Sequence, residues 1–305
     1  MNIFIQGMRR SGTTVFFDLF WEDGRFDCYY EPFAAAKTTS GGGSGAHSVD
    51  FFEKVRSIRE GFIANFDLKI DPGLLNYGAP RAAALEFEAD LPDYAKEYIR
   101  FIISQAADTL VKFTRMHSKV KILHEVDPTA KLIHVVRDPR AVTTSYLFGK
   151  NQRNRHKFPN EEAFFGRAST RSSWSSYAFS EYLLDTPEYS GVKGCKDFER
   201  ILIIWKYKVM QTHLEGARLF GKNYSIIHHE DLLFESEKTI RKLYSLFSKN
   251  LPQAVLDWGA KNIRPQMNCY SPTNKNWRKA FDKIDLWESL ELTGYKDVIH
   301  QLSAM

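Results

Sequence analysis

The chain has 305 residues, of which 43% are hydrophobic and 14% aromatic, and this composition supports a large buried core. The formal net charge of +5 suits an anionic ligand but is too small to indicate nucleic-acid binding. No run of about 18 or more apolar residues occurs, so the sequence predicts no membrane span. Three scattered cysteines, Cys28, Cys195 and Cys269, lack the spacing of a zinc site or a disulfide framework.

From these features we expect reduced thiols, no metal site and no nucleic-acid partner. The first predicted strand begins at residue 2, which leaves no room for a signal peptide, and we therefore expect a cytoplasmic protein. A chain from which an N-terminal anchor had been removed would show the same pattern, so that alternative stays open.

Residues 1–14 combine a predicted strand, a glycine-bounded turn and the start of a helix. The strand, residues 2–6, is rich in β-branched and aromatic side chains. Gly7 and Gly12 bound the turn, and a helical pattern follows from Thr13. Backbone N–H groups and the positive end of the helix dipole converge in such a turn. We predict an anion-binding loop, with an ordinary strand–turn–helix connection as the alternative.

The spacing of this turn nearly matches the nucleotide-binding motif G-x-x-x-x-G-K-[ST], with one departure. Thr13 occupies the position of the lysine that bridges the β- and γ-phosphates of ATP. This substitution argues against an ATP- or GTP-dependent phosphotransferase. Arg9 and Arg10 instead place positive charge inside the turn, which indicates a different phosphate-bearing ligand.

The remainder of the chain alternates predicted strands and helices. Further strands are predicted at residues 26–30, 110–116, 132–136 and 224–228. Helices are predicted at residues 49–65, 94–109, 118–126, 141–148, 161–183, 197–220 and 235–248, with an amphipathic segment at 286–302. Residues 271–279 are predicted as a polar loop. This alternation predicts an α/β fold of three layers, with a mainly parallel sheet between helices.

A second stretch with predicted chemistry follows the strand at residues 132–136. Arg137 lies at the carboxyl end of that strand, where open α/β sheets bind ligands. Ser145 comes eight residues later, about two helical turns, and so lies on the same face of the helix. An arginine fork and a serine hydroxyl suit a phosphate group. A local ion pair between Arg137 and Asp138 is the alternative.

With both stretches present, the chain resembles the sulfotransferases that use 3′-phosphoadenosine 5′-phosphosulfate (PAPS). Residues 10–14 resemble the family's 5′-phosphosulfate loop, and Arg137 with Ser145 resembles its 3′-phosphate element. Four shorter matches follow the order seen in the carbohydrate sulfotransferases: Tyr30-Glu31-Pro32, residues 112–115, residues 229–232 and Asn276-Trp277-Arg278.

The resemblance implies a P-loop NTPase-like sulfotransferase fold, PAPS as co-substrate, no metal, and transfer of a sulfuryl group to an acceptor hydroxyl. It implies that Arg10 stabilises the leaving phosphate by its charge, because a guanidinium does not readily donate a proton. The residues implied in PAPS binding are Arg9, Arg10, Ser11, Gly12, Thr13, Thr14, Arg137, Ser145, Trp277 and Arg278.

Two residues are candidates for the catalytic base. Cytosolic members of the family use a histidine where this chain has Thr114 or Arg115. Glu31 resembles the glutamate base of the tyrosylprotein and carbohydrate branches, and His117 is the alternative. A structural role for Glu31, in a salt bridge or a helix cap, is also open.

We expect one sulfotransferase domain over residues 1–305, with residues 40–108 and 150–220 forming insertions or helices on the acceptor side. The motifs favour a carbohydrate hydroxyl as acceptor, and the basic run at residues 150–157 would accept an anionic glycan. A tyrosyl peptide, a lipid or a small alcohol stays open, as does the oligomeric state. A P-loop kinase and a non-catalytic nucleotide-binding protein are the more remote alternatives.

Overall fold

The computed structural model describes residues 1–33, 48–66, 83–169, 177–266 and 268–303. Its centre is a sheet of five parallel strands in the spatial order β2-β3-β1-β4-β5. The strands are β1 (Asn2–Gly7), β2 (Asp27–Tyr30), β3 (Thr109–Phe113), β4 (Lys131–Val136) and β5 (Tyr224–His228). The predicted parallel sheet of an α/β fold is confirmed.

Fifteen α-helices surround this sheet in the described part of the chain. They are α1 (Thr13–Asp23), α2 (Ser48–Asn65), α3 (Ala83–Phe87), α4 (Asp93–Ile103), α5 (Val120–Val126), α6 (Pro139–Phe148), α7 (Glu161–Gly166), α8 (Tyr177–Leu184), α9 (Asp197–Phe220), α10 (His229–Phe234), α11 (Ser236–Leu246), α12 (Gln253–Asn262), α13 (Lys275–Ile284), α14 (Trp287–Leu292) and α15 (Lys296–Ser303). None of these described helices is long and apolar enough to cross a membrane.

The sheet is apolar on both faces, which explains the three layers. Successive side chains of a strand point to opposite faces, so Ile3 and Ile5 pack with α1, α11 and α12, while Phe4 packs with α4 and α5. A third apolar cluster joins α6, α9 and α13, and Trp205 lies within it. The long helix α9 matches the prediction for residues 197–220.

The structure corrects several predicted elements. The helix predicted to reach residue 109 ends at Ile103, where the side chains of Ser104 and Gln105 both donate to the Phe101 carbonyl. Such local side-chain bonds compete with the helical pattern. The single helix predicted over residues 161–183 is wrong: α7 ends at Gly166, where Arg167 is extended, and α8 begins at Tyr177, with residues 170–176 outside the described part. The short helices α10 and α12 were not predicted.

The polar loop predicted at residues 271–279 is also wrong in its second half. Asn274 caps α13, because its side chain accepts a hydrogen bond from the Asn276 backbone N–H at 2.9 Å.

A buried group of charges joins α3, α9 and the segment after β3, and we call it the Glu86 cluster (Glu86, Arg115, Lys119 and Lys208). The Glu86 carboxylate pairs with the Lys208 ammonium and lies 3.5 Å from a guanidinium nitrogen of Arg115. The Lys119 ammonium donates to the carbonyls of residues 85, 86 and 88 at 3.1, 3.1 and 2.7 Å. Burial lowers the pKa of Lys208 and lowers that of Lys119 to about 8. Glu86 therefore compensates positive charge that is held away from water.

Replacing Glu86 with alanine should lower the free energy of unfolding by about 3–5 kcal/mol, because the Lys208 ammonium would stay buried without its carboxylate. Urea unfolding followed by tryptophan fluorescence measures the change. The matched control is Glu215→Ala, which removes a partly exposed carboxylate of α9 paired with Arg218 and should cost less than about 1 kcal/mol. Equal losses in the two variants would contradict this role of Glu86.

Candidate functional site

All five strands end at one edge of the sheet, and the residues with predicted chemistry follow those ends. Because the strands are parallel, their carboxyl ends share that edge. The loop Met8–Gly12 follows β1, Glu31 follows β2, Arg115 follows β3, and Arg137 follows β4. His229 begins α10 directly after β5. The fold thus gathers residues that are far apart in the sequence.

The loop after β1 is a tight turn with two residues in the left-handed region. Arg10 has φ of 75° and Gly12 has φ of 88°. Ser11 donates to the Met8 carbonyl through its backbone N–H at 3.0 Å and through its Oγ at 2.6 Å. The turn therefore directs the chain into the N-terminus of α1, where the first N–H groups have no acceptor within the helix.

Both glycines of this loop are required by close contacts. A Cβ on Gly7 would lie 2.6 Å from the Val135 carbonyl oxygen, and a Cβ on Gly12 would overlap the imidazole of His229. The loop is consequently pressed against β4 and α10. Its glycines serve this packing as well as the turn.

Positive charge is concentrated around the loop. Arg9 is exposed and Arg10 is partly buried. Burial and the neighbouring Arg9 lower the pKa of Arg10, with smaller contributions from Arg153 and Arg137. Several guanidinium groups therefore lie close enough to repel one another, as expected for a site that binds an anion.

Arg137 is buried and contacts the loop directly. One of its terminal nitrogens, Nη1, donates to the Arg10 carbonyl at 3.1 Å, and its own carbonyl accepts from Trp205 Nε1 at 2.9 Å. The buried Nε of Arg137 has no hydrogen-bond partner. Burial lowers the pKa of Arg137. An anionic ligand could accept a hydrogen bond from this buried, unsatisfied donor.

Asp138 forms its ion pair with Arg140 and not with Arg137. Its carboxylate accepts from the backbone and the side chain of Arg140, with the closest side-chain contact at 2.8 Å. The Asp138 N–H donates to Glu230 at 3.0 Å, and the Tyr295 hydroxyl donates to the other oxygen of Glu230 at 3.0 Å. The alternative of an Arg137–Asp138 ion pair is therefore replaced by a pair between Asp138 and Arg140.

Glu31 directly follows β2 and pairs with Lys112, a residue for which no role was predicted. Glu31 Oε1 lies 2.5 Å from Lys112 Nζ, and the Glu31 N–H donates to the Lys112 carbonyl at 2.9 Å. The ammonium also lies 4.1 Å from the centre of the Tyr30 ring, whose hydroxyl is 3.1 Å from Thr14 Oγ1. A chain of contacts thus connects Glu31 with the start of α1.

The Lys112 side chain is buried, with 2% of its surface exposed. Burial alone would lower the pKa of Lys112, but the negative charge of Glu31 and contact with Tyr30 raise it overall, so the ammonium stays charged. The salt bridge that the sequence left open for Glu31 is present. The only signal for Lys112 was its place in the motif at residues 112–115.

His117 is fully buried, and neither ring nitrogen has a hydrogen-bond partner. The ring packs edge-on against Phe179 and Tyr207. Burial, together with the charges of Lys208 and other nearby cations, lowers the pKa of His117 well below its ordinary value. This environment opposes protonation, and His117 is therefore a poor candidate for the base.

Trp277 is also fully buried. Its ring packs against Phe165, and its Nε1 donates to the Ser271 carbonyl at 3.0 Å. The adjacent Pro272 carbonyl accepts from Arg140 Nη1 at 2.8 Å. Trp277 thus supports the segment that contacts the start of α6, and the burial of its ring opposes the prediction of direct cofactor contact.

The other predicted residues lie at different depths. Thr13 is buried in the first turn of α1, while Thr14 is partly exposed there. Ser145 is partly exposed on α6, and Arg278 is exposed on α13. No group of three or more histidine, cysteine, aspartate or glutamate side chains forms a metal site in the described part of the chain.

Comparisons with solved structures gave several sulfotransferases. The sulfotransferase STF9 from Mycobacterium avium aligns with a TM-score of 0.50 and 15% identity, over 95% of this chain and 76% of that chain. The sulfotransferase domain of the curacin biosynthetic pathway aligns with a TM-score of 0.47 and 13% identity, covering 93% and 96% of the two chains. The sulfotransferase domain of the Synechococcus PCC 7002 olefin synthase gives 0.41 and 16%, with coverage of 89% and 81%.

The alignment with STF9 supports the fold alone, because the identity is low. Curated protein sequences gave no match. Residues 2–174 match the profile of the family described as "Sulfotransferase family", and this range includes the Met8–Gly12 loop, Glu31 and Arg137. The match covers more than half of the 305 residues, and the chain belongs to the sulfotransferase family.

Proposed function

We propose that the protein transfers a sulfuryl group from PAPS to an acceptor hydroxyl, with a carbohydrate as the favoured acceptor. The observation that carries this proposal is the contact between Arg137 and the Arg10 carbonyl. This contact holds the loop after β1 next to Arg137. Both carry positive charge, and both have N–H donors that suit anions. PAPS carries anionic groups at both ends of its ribose, a 5′-phosphosulfate and a 3′-phosphate, and so matches two adjacent sites.

The 5′-phosphosulfate would bind at the loop after β1. Backbone N–H groups of residues 11–14, the hydroxyls of Thr13 and Thr14, and the charges of Arg9 and Arg10 would hold it. Gly12 has no Cβ, which would let the loop backbone approach the phosphosulfate closely. Its contact with His229 also requires a residue without a Cβ.

The 3′-phosphate would bind at the turn that begins α6. Arg137 would donate through its unpaired Nε, and the partly exposed Ser145 would add a hydroxyl. Trp277 would act indirectly, through the segment that it holds against Arg140. Arg278 is exposed and would contribute to the same side of the nucleotide.

PAPS supplies an activated sulfuryl group whose leaving group is a phosphate. In the transfer, a bond from the acceptor oxygen to sulfur forms, the bond from sulfur to the phosphate oxygen breaks, and the acceptor proton passes to a base. We assign this role to Glu31, whose Oε1 contacts Lys112 and whose Oε2 would accept the proton. Arg10 would neutralise the negative charge that develops on the leaving phosphate.

The preference for a carbohydrate rests on the order of the short motifs, among them Tyr30-Glu31-Pro32 and the match at residues 229–232. Tyr30 contacts Thr14 at the start of α1, and His229 packs on Gly12, so residues of both motifs adjoin the phosphosulfate loop. A tyrosyl peptide, a lipid or a small alcohol would use the same chemistry, and labelled PAPS with a panel of such acceptors distinguishes them. A P-loop kinase is disfavoured by Thr13.

The choice of nucleotide tests the proposal most directly. Calorimetry should show binding of PAP, the desulfated product, and much weaker binding of ATP–Mg, because Thr13 replaces the lysine that ATP sites require. Tight binding of ATP–Mg without binding of PAP would overturn the sulfotransferase assignment of this site.

Replacing Arg137 with alanine should weaken PAP affinity by about 1.5–3 kcal/mol, the loss expected when a charge-assisted hydrogen bond is removed. Calorimetry measures the affinity, and a thermal melt confirms that the variant is folded. Arg218→Ala, an exposed arginine of α9, is the matched control and should bind PAP normally. An unchanged affinity in the Arg137 variant would exclude this residue from the nucleotide site.

Glu31→Gln keeps the shape of the side chain but removes the proton acceptor. Turnover of the most active acceptor should fall by about 10²–10⁴-fold, the usual contribution of a general base, while PAP affinity changes little. The PAPS-dependent rate and the PAP dissociation constant are measured in parallel, with Glu215→Gln as the surface control. Near-normal turnover would disqualify Glu31 as the base.

A further inference from the structure

The helix α6 carries Ser145 and is followed by a tight loop at residues 149–154, which we call the α6 loop. The Gly149 N–H donates to the Ser145 carbonyl at 3.2 Å. The Asn154 N–H then donates to the Phe148 carbonyl at 2.9 Å, so the chain returns to the end of the helix. The α6 loop therefore begins one helical turn after Ser145 and stays beside the proposed 3′-phosphate site.

Arg155 anchors the far end of this loop and is occupied by packing contacts. Its guanidinium carbon lies 4.7 Å from the centre of the Phe148 ring and 4.8 Å from that of the Tyr270 ring. The guanidinium also donates to the Phe158 carbonyl. The Tyr270 N–H donates to Thr144 Oγ1 at 3.0 Å, which ties this aromatic contact to α6. The basic run that contains Arg155 is thus not a uniform surface for one ligand.

Arg153 differs from Arg155 because its charge is not used in packing. A Cβ built on Gly149 would lie 3.4 Å from Arg153 Cγ and 3.5 Å from its Nε, so the side chain folds back over Gly149. Arg153 is exposed, and no carboxylate pairs with it among the residues that the structure describes. The exposed Arg218 of α9, by contrast, pairs with Glu215. The Arg153 guanidinium therefore keeps its N–H donors for a ligand that approaches this turn.

Arg153 also lies close to the phosphosulfate loop. Burial lowers the pKa of Arg10 most, followed by the charge of Arg9, and the charges of Arg153 and Arg137 lower it further. Arg137 in addition donates to the Arg10 carbonyl at 3.1 Å. Arginines from three separate segments thus lie close enough to repel one another. A multiply charged anion that binds among them would relieve this repulsion.

The charge of a phosphate monoester explains why a further cation is needed. Such a group carries about −1.5 to −2 charge at pH 7. Arg137 supplies one positive charge, and Ser145 supplies a hydroxyl without charge. A 3′-phosphate held by these two residues alone would lose bound water while part of its charge stayed uncompensated, which is costly. A second guanidinium next to Ser145 would balance that charge.

We propose that Arg153 is the second cation of the 3′-phosphate site and binds that phosphate together with Arg137 and Ser145. This inference rests on the proposed function and adds a residue that determines its specificity for a 3′-phosphorylated nucleotide. It assigns Arg153 to the donor, in place of the contact with an anionic acceptor expected for the basic run. A guanidinium can donate two parallel hydrogen bonds to phosphate oxygens, which an ammonium cannot.

Two nucleotides that differ only in the 3′-phosphate test this assignment: PAP and adenosine 5′-monophosphate (AMP). PAP is titrated into the full chain by calorimetry at constant ionic strength, and AMP affinity is obtained by displacement of PAP. Arg153→Gln should weaken PAP binding by about tenfold and leave AMP binding unchanged, because AMP lacks the group that Arg153 contacts. Arg153→Lys should retain part of the PAP affinity, since the charge is kept without the planar fork.

Steady-state kinetics separates a donor contact from an acceptor contact. In Arg153→Gln the KM for PAPS should rise about tenfold, while kcat and the KM for the acceptor change little. Arg218→Gln, which alters an exposed arginine of α9, is the control and should keep the wild-type values. Thermal melts show whether each variant is folded.

An equal loss of PAP and AMP affinity in Arg153→Gln would overturn the proposal, since the residue would then act at the 5′ end or on the fold. Unchanged PAP affinity would overturn it as well, and a raised KM for the acceptor would then return Arg153 to the acceptor side. In either case PAP binding by the wild-type protein, and its loss in the Arg137 variant, would still support the proposed function. Failure of the wild-type protein to bind PAP would instead contradict the proposed function itself.

Discussion

The close contact between Gly12 and the imidazole of His229 constrains the whole site. It presses the loop after β1 against the helix after β5, although these strands are not neighbours in the sheet. The next residue of α10, Glu230, accepts the Asp138 N–H and so fixes the turn that carries Arg137. One short helix therefore positions both cationic turns. Their separation is set by packing before any ligand arrives, which reduces the ordering cost of binding.

Most polar groups around this helix are satisfied, and the exceptions are informative. Asp138, Arg140, Glu230 and Tyr295 form a connected network of hydrogen bonds. Arg137 Nε is buried beside this network without a partner. An unsatisfied buried donor costs about 1–3 kcal/mol, so the fold carries a local cost that an anion would remove. A buried donor without a partner lowers stability, and such groups are expected mainly at functional sites.

The sequence predicted local features better than long-range contacts. The strand–loop–helix at residues 1–14 and the turn at Arg137 could be predicted because glycine, proline and apolar patterns act over a few residues. The pair between Glu31 and Lys112 could not, since it depends on β2 lying next to β3. The burial of His117 and Trp277 likewise depends on helices far along the chain, α8 and α9 for the first and α7 and α9 for the second. Both residues were predicted to act at the site, but their side chains pack in the core.

The strand order also divides the site into two sides. β1 lies at the centre, with β4 on one side and β3 followed by β2 on the other. Arg137 follows β4 on one side. On the other side Glu31 follows β2, Lys112 lies in β3 and Arg115 follows β3.

The loop after β1 lies between these two groups. Its Arg10 carbonyl accepts from Arg137, and Thr14, in the first turn of the helix that follows, contacts Tyr30 of β2. Under the proposed function, the nucleotide would be held on the β4 side and the acceptor on the β3 side. The sulfuryl group would then lie at the central loop, where the transferring group must be if donor and acceptor approach sulfur from opposite directions. A parallel sheet with its first strand at the centre would allow this arrangement without requiring either ligand to cross the other.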